Sequence, residues 1–172
     1  MTKTPLYWIE GPWRGRIAIM PRPRGGDWLE DEVEGWHKEG VGVVLSALTS
    51  EEMEEFDLSR EAEFCEQKRI EYINFPIADR GVPSSAASTA ELVHRLESKL
   101  NEGDNIAIHC RQGIGRSSLL AACLLASAGV KSEEAFDRIA KARGCAVPDT
   151  VEQLQWVTQF EKSALAIGRR DH

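Results

Sequence analysis

The sequence predicts an α/β fold with a central, largely parallel sheet flanked by helices on both faces. Apolar stretches of strand length alternate with segments of helical periodicity along the 172 residues, and such alternation is typical of βαβ units. An apolar stretch at 105–109 passes through a glycine-containing loop into an apolar helix at 117–128. In open sheets of this kind, loops at the carboxyl edge of the strands form the ligand site.

Five apolar stretches are predicted to form the strands, at 6–9, 16–20, 41–48, 70–75 and 105–109. The first two are short edge strands on either side of a glycine-containing bend. The third is rich in valine and leucine and reads as a buried strand. The segment 21–26 contains two prolines and two glycines, which predicts a turn after the second strand.

Helical periodicity predicts three helices before the fourth predicted strand. The first begins at Asp27, which is expected to cap it, and carries Trp28, Leu29, Val33 and Trp36 on one face. Two acidic helices are expected at 51–56 and 59–69.

Four more helices are predicted in the second half of the chain. The first of them is expected to be capped by Ser88 or Thr89, and the next is 117–128. Asp149 is expected to cap the last helix, with Glu152 completing a capping box. The periodic apolar residues of the two final helices are Ala135, Phe136, Ile139 and Ala142, then Val151, Leu154, Val157 and Phe160.

Length and composition predict a single domain over 1–172, with an N-terminal edge segment at 1–25 and a frayed tail at 168–172. The 42% hydrophobic and 28% charged residues are ordinary for a globular enzyme. The net charge of −7 argues against a general nucleic-acid or anionic-membrane binder. No run approaches the ~20 apolar residues of a membrane span, and four cysteines without framework spacing suit the reducing cytoplasm.

A cysteine lies where the strand at 105–109 ends, and an arginine follows it where the next helix begins. The loop reads HCRQGIGRSS, from His109 to Ser118. A helix N-terminus offers unpaired N–H groups and a positive dipole end, so tetrahedral anions bind there. Arg116 adds a planar guanidinium that can hold two phosphate oxygens. Both favour the thiolate form of Cys110, which predicts a nucleophile that faces a bound phosphate.

The other residues of this loop have predicted supporting roles. Gly113 and Gly115 permit tight bends, positive φ and close approach to a ligand, and the Ser117 hydroxyl can hydrogen-bond the sulfur. His109 is expected to orient the loop through hydrogen bonds. A buried structural thiol is the alternative for Cys110. The expected phosphate-binding residues are Arg111, Gln112, Gly113, Ile114, Gly115 and Arg116.

The loop HCRQGIGRSS resembles the HCxxGxxR[ST] loop of the cysteine-dependent protein tyrosine phosphatase superfamily. The small size resembles the dual-specificity branch, and the similarity covers roughly residues 40–160. The segment RGCAVPDTVEQ, from Arg143 to Gln153, is similar to one in the cyclin-dependent-kinase-associated phosphatase group. The resemblance implies the fold of these phosphatases and hydrolysis through a phosphocysteine intermediate. It implies no cofactor and no metal, since thiolate, arginine and main-chain N–H groups supply the electrostatics.

The reaction also needs an acid to protonate the leaving group. Asp79 lies on the loop after the strand at 70–75, about as far before the cysteine as the family places its mobile acid. An ordinary turn aspartate is the alternative. In the second step, Asp79 would act as base, and Gln153 would orient water as a glutamine does in similar families. A solvent-facing glutamine on the last helix is the alternative for Gln153.

These features predict a protein phosphatase for phosphotyrosine, with phosphoserine and phosphothreonine as further substrates if the pocket is shallow. No counterpart of the loop that deepens larger tyrosine phosphatases is recognisable, so the resemblance implies a shallow pocket. A phosphoinositide, inositol phosphate or RNA 5′-phosphate is the alternative substrate, and a non-catalytic phospho-binding module is the alternative function. Gln112 and Ile114 stand where phosphoinositide enzymes tend to carry lysines. A phosphorylated protein is the expected partner, nucleic acid and membrane are not expected, and a monomer is favoured.

Overall fold

The computed structural model describes the chain over residues 3–170, and its side chains as far as Ala164. Its strands are β1 (Tyr7–Ile9), β2 (Ile17–Met20), β3 (Val41–Ser46), β4 (Glu71–Asn74) and β5 (Asn105–His109). They form one sheet in the order β1-β2-β5-β3-β4. Only the β1–β2 pair is antiparallel, while β2–β5, β5–β3 and β3–β4 are parallel. The predicted central, largely parallel sheet is confirmed.

The helices occupy the segments between and after the strands. They are α1 (Leu29–Lys38), α2 (Ser50–Glu55), α3 (Glu61–Gln67), α4 (Ala86–Glu102), α5 (Arg116–Ser127), α6 (Ser132–Arg143) and α7 (Val151–Arg170). The predicted tail at 168–172 falls partly in the last turn of α7, and its residues 171 and 172 lie outside the described part of the chain. Of the described helices, none is long and apolar enough to cross a membrane.

Two apolar cores lie on the two faces of the sheet. Because successive side chains of a strand point to opposite faces, Ile106 and Ile108 pack with α4–α7, whereas Ala107 packs with α1 and α3. The residues of α5 from Arg116 to Ala126 are all buried. The loop between β5 and α5 is therefore anchored at both ends in the rigid centre of the molecule.

Two predicted helix starts are wrong by a few residues. The helix α1 follows a short 3₁₀ turn at Gly26–Trp28 and has no side-chain cap, so Asp27 does not cap it. The helix α4 is capped by Ser85, whose hydroxyl accepts from the N–H of Ser88. Ser85, Ser88 and Thr89 all have the hydroxyl that a cap needs, and only the backbone geometry selects among them.

The start of α7 also differs from the prediction. The Thr150 hydroxyl accepts from the Gln153 N–H at 3.1 Å, and the Gln153 Oε1 accepts from the Thr150 N–H at 3.2 Å. This reciprocal pair is a capping box of Thr150 and Gln153, so the predicted box of Asp149 and Glu152 is wrong. Gln153, the residue that completes the observed box, is fully buried.

Candidate functional site

A polar cavity of about 260 Å³ opens at the carboxyl edge of β5, where the sequence places the cysteine loop. The residues that line it are Asp79, Arg80, Cys110, Arg111, Gln112, Arg116 and Asp149. A larger groove of about 700 Å³ lies elsewhere, around Trp8 and Lys141, and no cysteine lines it. Chemistry rather than size therefore identifies the smaller cavity as the candidate site.

Cys110 lies at the floor of this cavity, directly after β5. The residue is only 2% exposed, and its Sγ lies 3.3 Å from the Ser117 Oγ on the first turn of α5. Once the sulfur is ionised, the Ser117 hydroxyl is the donor of that hydrogen bond. The sulfur has apolar neighbours below it and cationic side chains above it, so it is both anchored and accessible to an anion in the cavity.

The two loop glycines differ in backbone conformation and in the atoms that lie beside them. Gly113 has a φ of +70°, and a Cβ there would lie 2.6 Å from the Met20 carbonyl carbon. Gly115 has a φ of −88°, and its Cβ would lie 2.5 Å from an Asp149 carboxylate oxygen. The expectation that both glycines permit positive φ therefore holds only for Gly113. Gly115 lies where the start of α7 approaches the loop, and a Cβ there would displace the ends of the Asp149 and Gln153 side chains.

Arg116 begins α5, and its guanidinium is buried beside the cysteine with 2% of the side chain exposed. NH1 donates to a Glu52 carboxylate oxygen at 2.7 Å and to the Ile77 carbonyl at 2.8 Å. NH2 donates to the second Glu52 oxygen at 2.9 Å and to Asp79 Oδ1 at 3.2 Å. Such a bidentate pair fixes the plane of the guanidinium.

The charges around Arg116 keep it ionised despite its burial. Burial opposes the charge, but hydrogen bonds to Glu52 and the charges of Cys110, Glu52 and Asp79 outweigh it and raise the pKa of Arg116. For Glu52, burial acts in the opposite direction to the Arg116 and Thr49 hydrogen bonds, and the net effect lowers the pKa of its carboxyl. The two side chains form a buried ion pair beneath the cavity.

The sequence did not single out Glu52. It is the third residue of α2 and completes a capping box with Thr49, so the local pattern gives it a structural role only. Nothing in the sequence near 52 indicates that its carboxylate reaches an arginine so far along the chain. The contact depends on the tertiary fold, which brings the start of α2 beside the start of α5.

Asp79 lies above Arg116 on the loop between β4 and α4. Its Oδ1 pairs with Arg116 NH2 at 3.2 Å, and its Oδ2 lies 3.6 Å from Arg111 NH1. The Arg116 Nε–H donates to none of the described residues. A phosphate that takes this N–H and replaces Asp79 on NH2 would gain a bidentate contact without breaking the Glu52 pair.

Gln153 connects the last helix with the loop that carries Asp79. Its Oε1 is used in the α7 capping box, while its Nε2 donates to the Gly81 carbonyl at 3.1 Å. The same nitrogen lies near the position that a Cβ on Gly115 would occupy. Gln153 is buried and stands between the two loops, so the alternative of a solvent-facing glutamine is wrong.

His109 points away from the cavity, to the opposite face of the sheet. Its Nε2 lies 2.5 Å from Glu61 Oε1 on α3, and both side chains are fully buried. The remaining atoms of the pair, His109 Nδ1 and Glu61 Oε2, have no hydrogen-bond partner among the described residues. The hydrogen bond of His109 is thus to α3 and not to the loop.

The remaining predicted binding residues lie along the loop itself. Arg111 and Gln112 are exposed at the mouth, and Ile114 is half-buried. The Arg111 guanidinium lies 5.0 Å from the centre of the Phe56 ring. Arg143 of α6, to which the sequence analysis gave no role of its own, donates to two main-chain carbonyls of the loop. The one signal for it is that the segment carrying the family resemblance begins at Arg143.

The other cysteines differ in their surroundings. Burial, followed by the charge of Glu61, raises the pKa of the Cys65 thiol, and burial alone raises that of Cys123. Both are therefore poor nucleophiles. No group of three His, Cys, Asp or Glu side chains within the described residues is placed to hold a metal ion.

Known proteins that resemble this chain share the site-bearing region. Residues 38–163, which include every element of the site, match the family described as the dual specificity phosphatase, catalytic domain. The chain belongs to this family. The predicted relationship to cysteine-dependent dual specificity phosphatases is therefore confirmed.

Two relatives of this dual specificity phosphatase domain illustrate the similarity. The human protein named cyclin-dependent kinase inhibitor 3 is 31% identical over 135 residues, which cover 77% of this chain and 63% of that protein. The chain thus spans just under two thirds of that relative. Putative tyrosine phosphatase 197R of Invertebrate iridescent virus 6 is 29% identical over 128 residues, 73% of this chain and 46% of the viral protein.

Solved structures confirm the dual specificity phosphatase fold. A crystal structure of kinase associated phosphatase, with its catalytic cysteine replaced by serine, superposes with a TM-score of 0.86. That match is 23% identical and covers 96% of this chain and 98% of the other. Tk-PTP in its active form gives a TM-score of 0.75 at 25% identity, covering 91% and 96% of the two chains.

Proposed function

We propose that the protein hydrolyses phosphate monoesters of protein side chains through a phosphocysteine on Cys110. The observation that carries the proposal is the position of the Cys110 sulfur, at the floor of a cavity that Arg116 and Asp79 also line. A thiolate, a guanidinium and a carboxyl group around one cavity are what the two half-reactions require. Family membership supports the same chemistry.

We assign one or more residues to each step. The phosphate binds Arg116 and the main-chain N–H groups of the loop, and the Cys110 thiolate attacks phosphorus. The P–O bond breaks as Asp79 gives its proton to the leaving oxygen. Asp79 then takes a proton from water, which attacks the phosphocysteine and frees the sulfur, while Ser117 donates to that sulfur. Gln153, whose Nε2 donates to the Gly81 carbonyl, would use its second amide hydrogen to help hold the water.

We propose phosphotyrosine, phosphoserine and phosphothreonine in proteins as the substrate class. The family resemblance implies a shallow pocket, in which the phosphate of a short side chain as well as that of a ring would reach the sulfur. The names of two similar proteins refer to a kinase or to a cyclin-dependent kinase. A phosphorylated segment of a kinase is therefore the first protein substrate to test. A monomeric state and a cytoplasmic location remain predictions.

Turnover of p-nitrophenyl phosphate by the purified protein tests the chemistry. We expect release that vanadate inhibits and that Cys110→Ser abolishes, with Cys145→Ser as the control for a cysteine outside the cavity. Activity that survives Cys110→Ser would refute the proposed nucleophile. A wild-type protein that binds phosphopeptide without turnover would favour the non-catalytic binding module instead.

A panel of substrates tests the substrate class. Peptides with phosphotyrosine, phosphothreonine and phosphoserine should be dephosphorylated faster than a short-chain phosphoinositide or a 5′-phosphorylated RNA. The acidic protein surface, with a net charge of −7, disfavours the RNA. Faster release from the phosphoinositide would move the assignment to a non-protein phosphate.

A further inference from the structure

Arg143, at the end of α6, holds the underside of the cysteine loop. Its Nε donates to the Gly113 carbonyl at 3.1 Å, and its NH2 donates to the Gln112 carbonyl at 3.2 Å. The two carbonyls belong to successive peptide groups. Arg143 is not one of the residues that line the cavity, so it binds the loop from outside the cavity.

The two hydrogen bonds fix the direction of two main-chain N–H groups. A trans peptide group is planar, and its C=O and N–H point in opposite directions. When Arg143 draws the Gln112 and Gly113 carbonyls outward, the N–H groups of Gly113 and Ile114 are turned toward the cavity. Successive N–H groups that converge in this way form the concavity that binds an oxyanion.

Two other features of the structure stabilise Arg143 in this position. It lies in the last turn of α6, where a cation interacts favourably with the helix dipole. Its guanidinium lies 4.4 Å from the centre of the Tyr7 ring. None of the described carboxylates lies within ion-pair distance of it, whereas Arg138 on the same helix pairs with Glu134 at 2.8 Å.

We propose that Arg143 is a positioning residue that sets the oxyanion-binding conformation of the cysteine loop. The inference rests on the proposed function, since it assigns to Arg143 the orientation of the groups that bind the phosphate. It acts through the Gly113 and Ile114 peptide groups and does not touch the substrate. A role confined to fastening α6 to the loop is the competing explanation.

Anion binding distinguishes these roles without requiring turnover. Inorganic phosphate is titrated into ¹⁵N-labelled Cys110→Ser protein, and the amide resonances of Gly113 and Ile114 are followed. In the parent variant, both resonances should move to higher proton shift as phosphate binds. Adding Arg143→Met should remove most of that change and weaken phosphate binding about tenfold, less than the ~10²–10³-fold rate loss when a direct oxyanion donor is removed.

Two further variants provide the controls. Arg138→Met removes a guanidinium from the same helix that pairs with Glu134, and it should leave phosphate binding and both amide shifts unchanged. Arg143→Lys retains the charge but loses the fork that spans two carbonyls. It should therefore remain several-fold weaker than the parent, whereas a purely electrostatic role would restore binding completely.

Steady-state rates of the Cys110-containing protein complete the test. Arg143→Met should lower kcat for p-nitrophenyl phosphate about tenfold and raise the inhibition constant of vanadate by a similar factor. If Arg143→Met lowers only the melting temperature and leaves the amide shifts and phosphate affinity as in the parent, the residue is purely structural and the inference is wrong. A wild-type protein without turnover, but with the predicted amide shifts, would refute the proposed function and leave this inference standing.

Discussion

At the scale of single residues, the site depends on how one buried guanidinium divides its donors. Arg116 gives three hydrogen bonds to fixed partners, two Glu52 oxygens and the Ile77 carbonyl. The remaining two N–H groups face the cavity, where Asp79 takes one of them. The fixed bonds preorganise the arginine, and the other two donors are the ones that a phosphate can use.

Replacement of Asp79 tests its role as the acid. Asp79→Asn cannot donate a proton to the leaving oxygen, so kcat for a phosphoserine peptide should decrease by about 10²–10⁴-fold. The loss should be smaller for p-nitrophenyl phosphate, because nitrophenolate leaves with little protonation. Peptide affinity, measured in the Cys110→Ser background, should not decrease. Equal losses for both substrates, or a similar loss in the exposed control Asp137→Asn, would move the acid elsewhere.

The Glu52–Arg116 pair makes part of the stability dependent on pH. Because the pKa of Glu52 is lowered in the folded protein from an ordinary value of 4.5, its contribution is present above that pH and is lost as pH falls through the folded pKa. Glu52→Gln should lower the free energy of unfolding by about 2 kcal/mol at pH 7. Urea denaturation should show the difference from wild type shrinking below pH 4.5.

The matched control for this pH dependence is Glu63→Gln. The pKa of Glu63 is also lowered, chiefly by its hydrogen bond to Arg60, but that pair lies at the surface. Its removal should change stability little at any pH. A Glu52→Gln deficit that stays constant from pH 7 to pH 3 would contradict the ion-pair explanation.

At the scale of elements, the capping box of α7 uses Gln153, which also donates to the Gly81 carbonyl on the loop that carries Asp79. Thr150→Ala removes the hydroxyl that accepts from the Gln153 N–H, which should lower the free energy of unfolding by about 1 kcal/mol. Glu152→Ala, at the residue that the sequence pattern favoured, should change it by less than ~0.5 kcal/mol. Thermal and urea denaturation measure both. A larger loss for Glu152→Ala would restore the capping box predicted from the sequence.

The elements themselves were predictable, and their ends were not. All five strands and seven helices of the described chain appear where apolar periodicity places them, because burying those faces dominates the folding energy. The caps at Ser85 and Thr150 depend on which of several neighbouring hydroxyls meets a free N–H. That choice is decided by backbone geometry within one turn, to which the hydrophobic pattern is insensitive.

The same distinction applies to the site. Cys110 and Arg116 could be proposed from the sequence because they share one local loop motif, and Asp79 could be proposed because the resembling family places its acid at about this separation from the cysteine. Glu52 and Arg143 contact the site only through tertiary packing of α2 and α6 against the loop region. Their local surroundings, a capping box and a helix end, already explain their residue types. Neither residue therefore stands out from its local sequence as a candidate for the site.

At the scale of the whole molecule, the proposed nucleophile lies at the junction of the two cores. Cys110 packs with the core under α4–α7, while the preceding residue, His109, lies on the other face near Trp36 and Glu61. The helix α3 is thus connected through a buried His–Glu contact to the strand end that carries the cysteine. An apolar side chain at 61 would pack α3 equally well, but it would leave the imidazole unpaired.

The final prediction concerns this connection between the layers. Glu61→Ala leaves His109 buried without its only hydrogen-bond partner among the described residues. The free energy of unfolding should decrease by about 3 kcal/mol. Glu61→Gln keeps an acceptor and should lose clearly less, whereas Glu63→Ala on the exposed side of α3 should lose little.

A urea double-mutant cycle of Glu61→Ala with His109→Ala measures the coupling, which should exceed ~1 kcal/mol. Additive effects would mean that α3 is held by its apolar contacts alone, and that the sheet and this layer are joined without the buried pair.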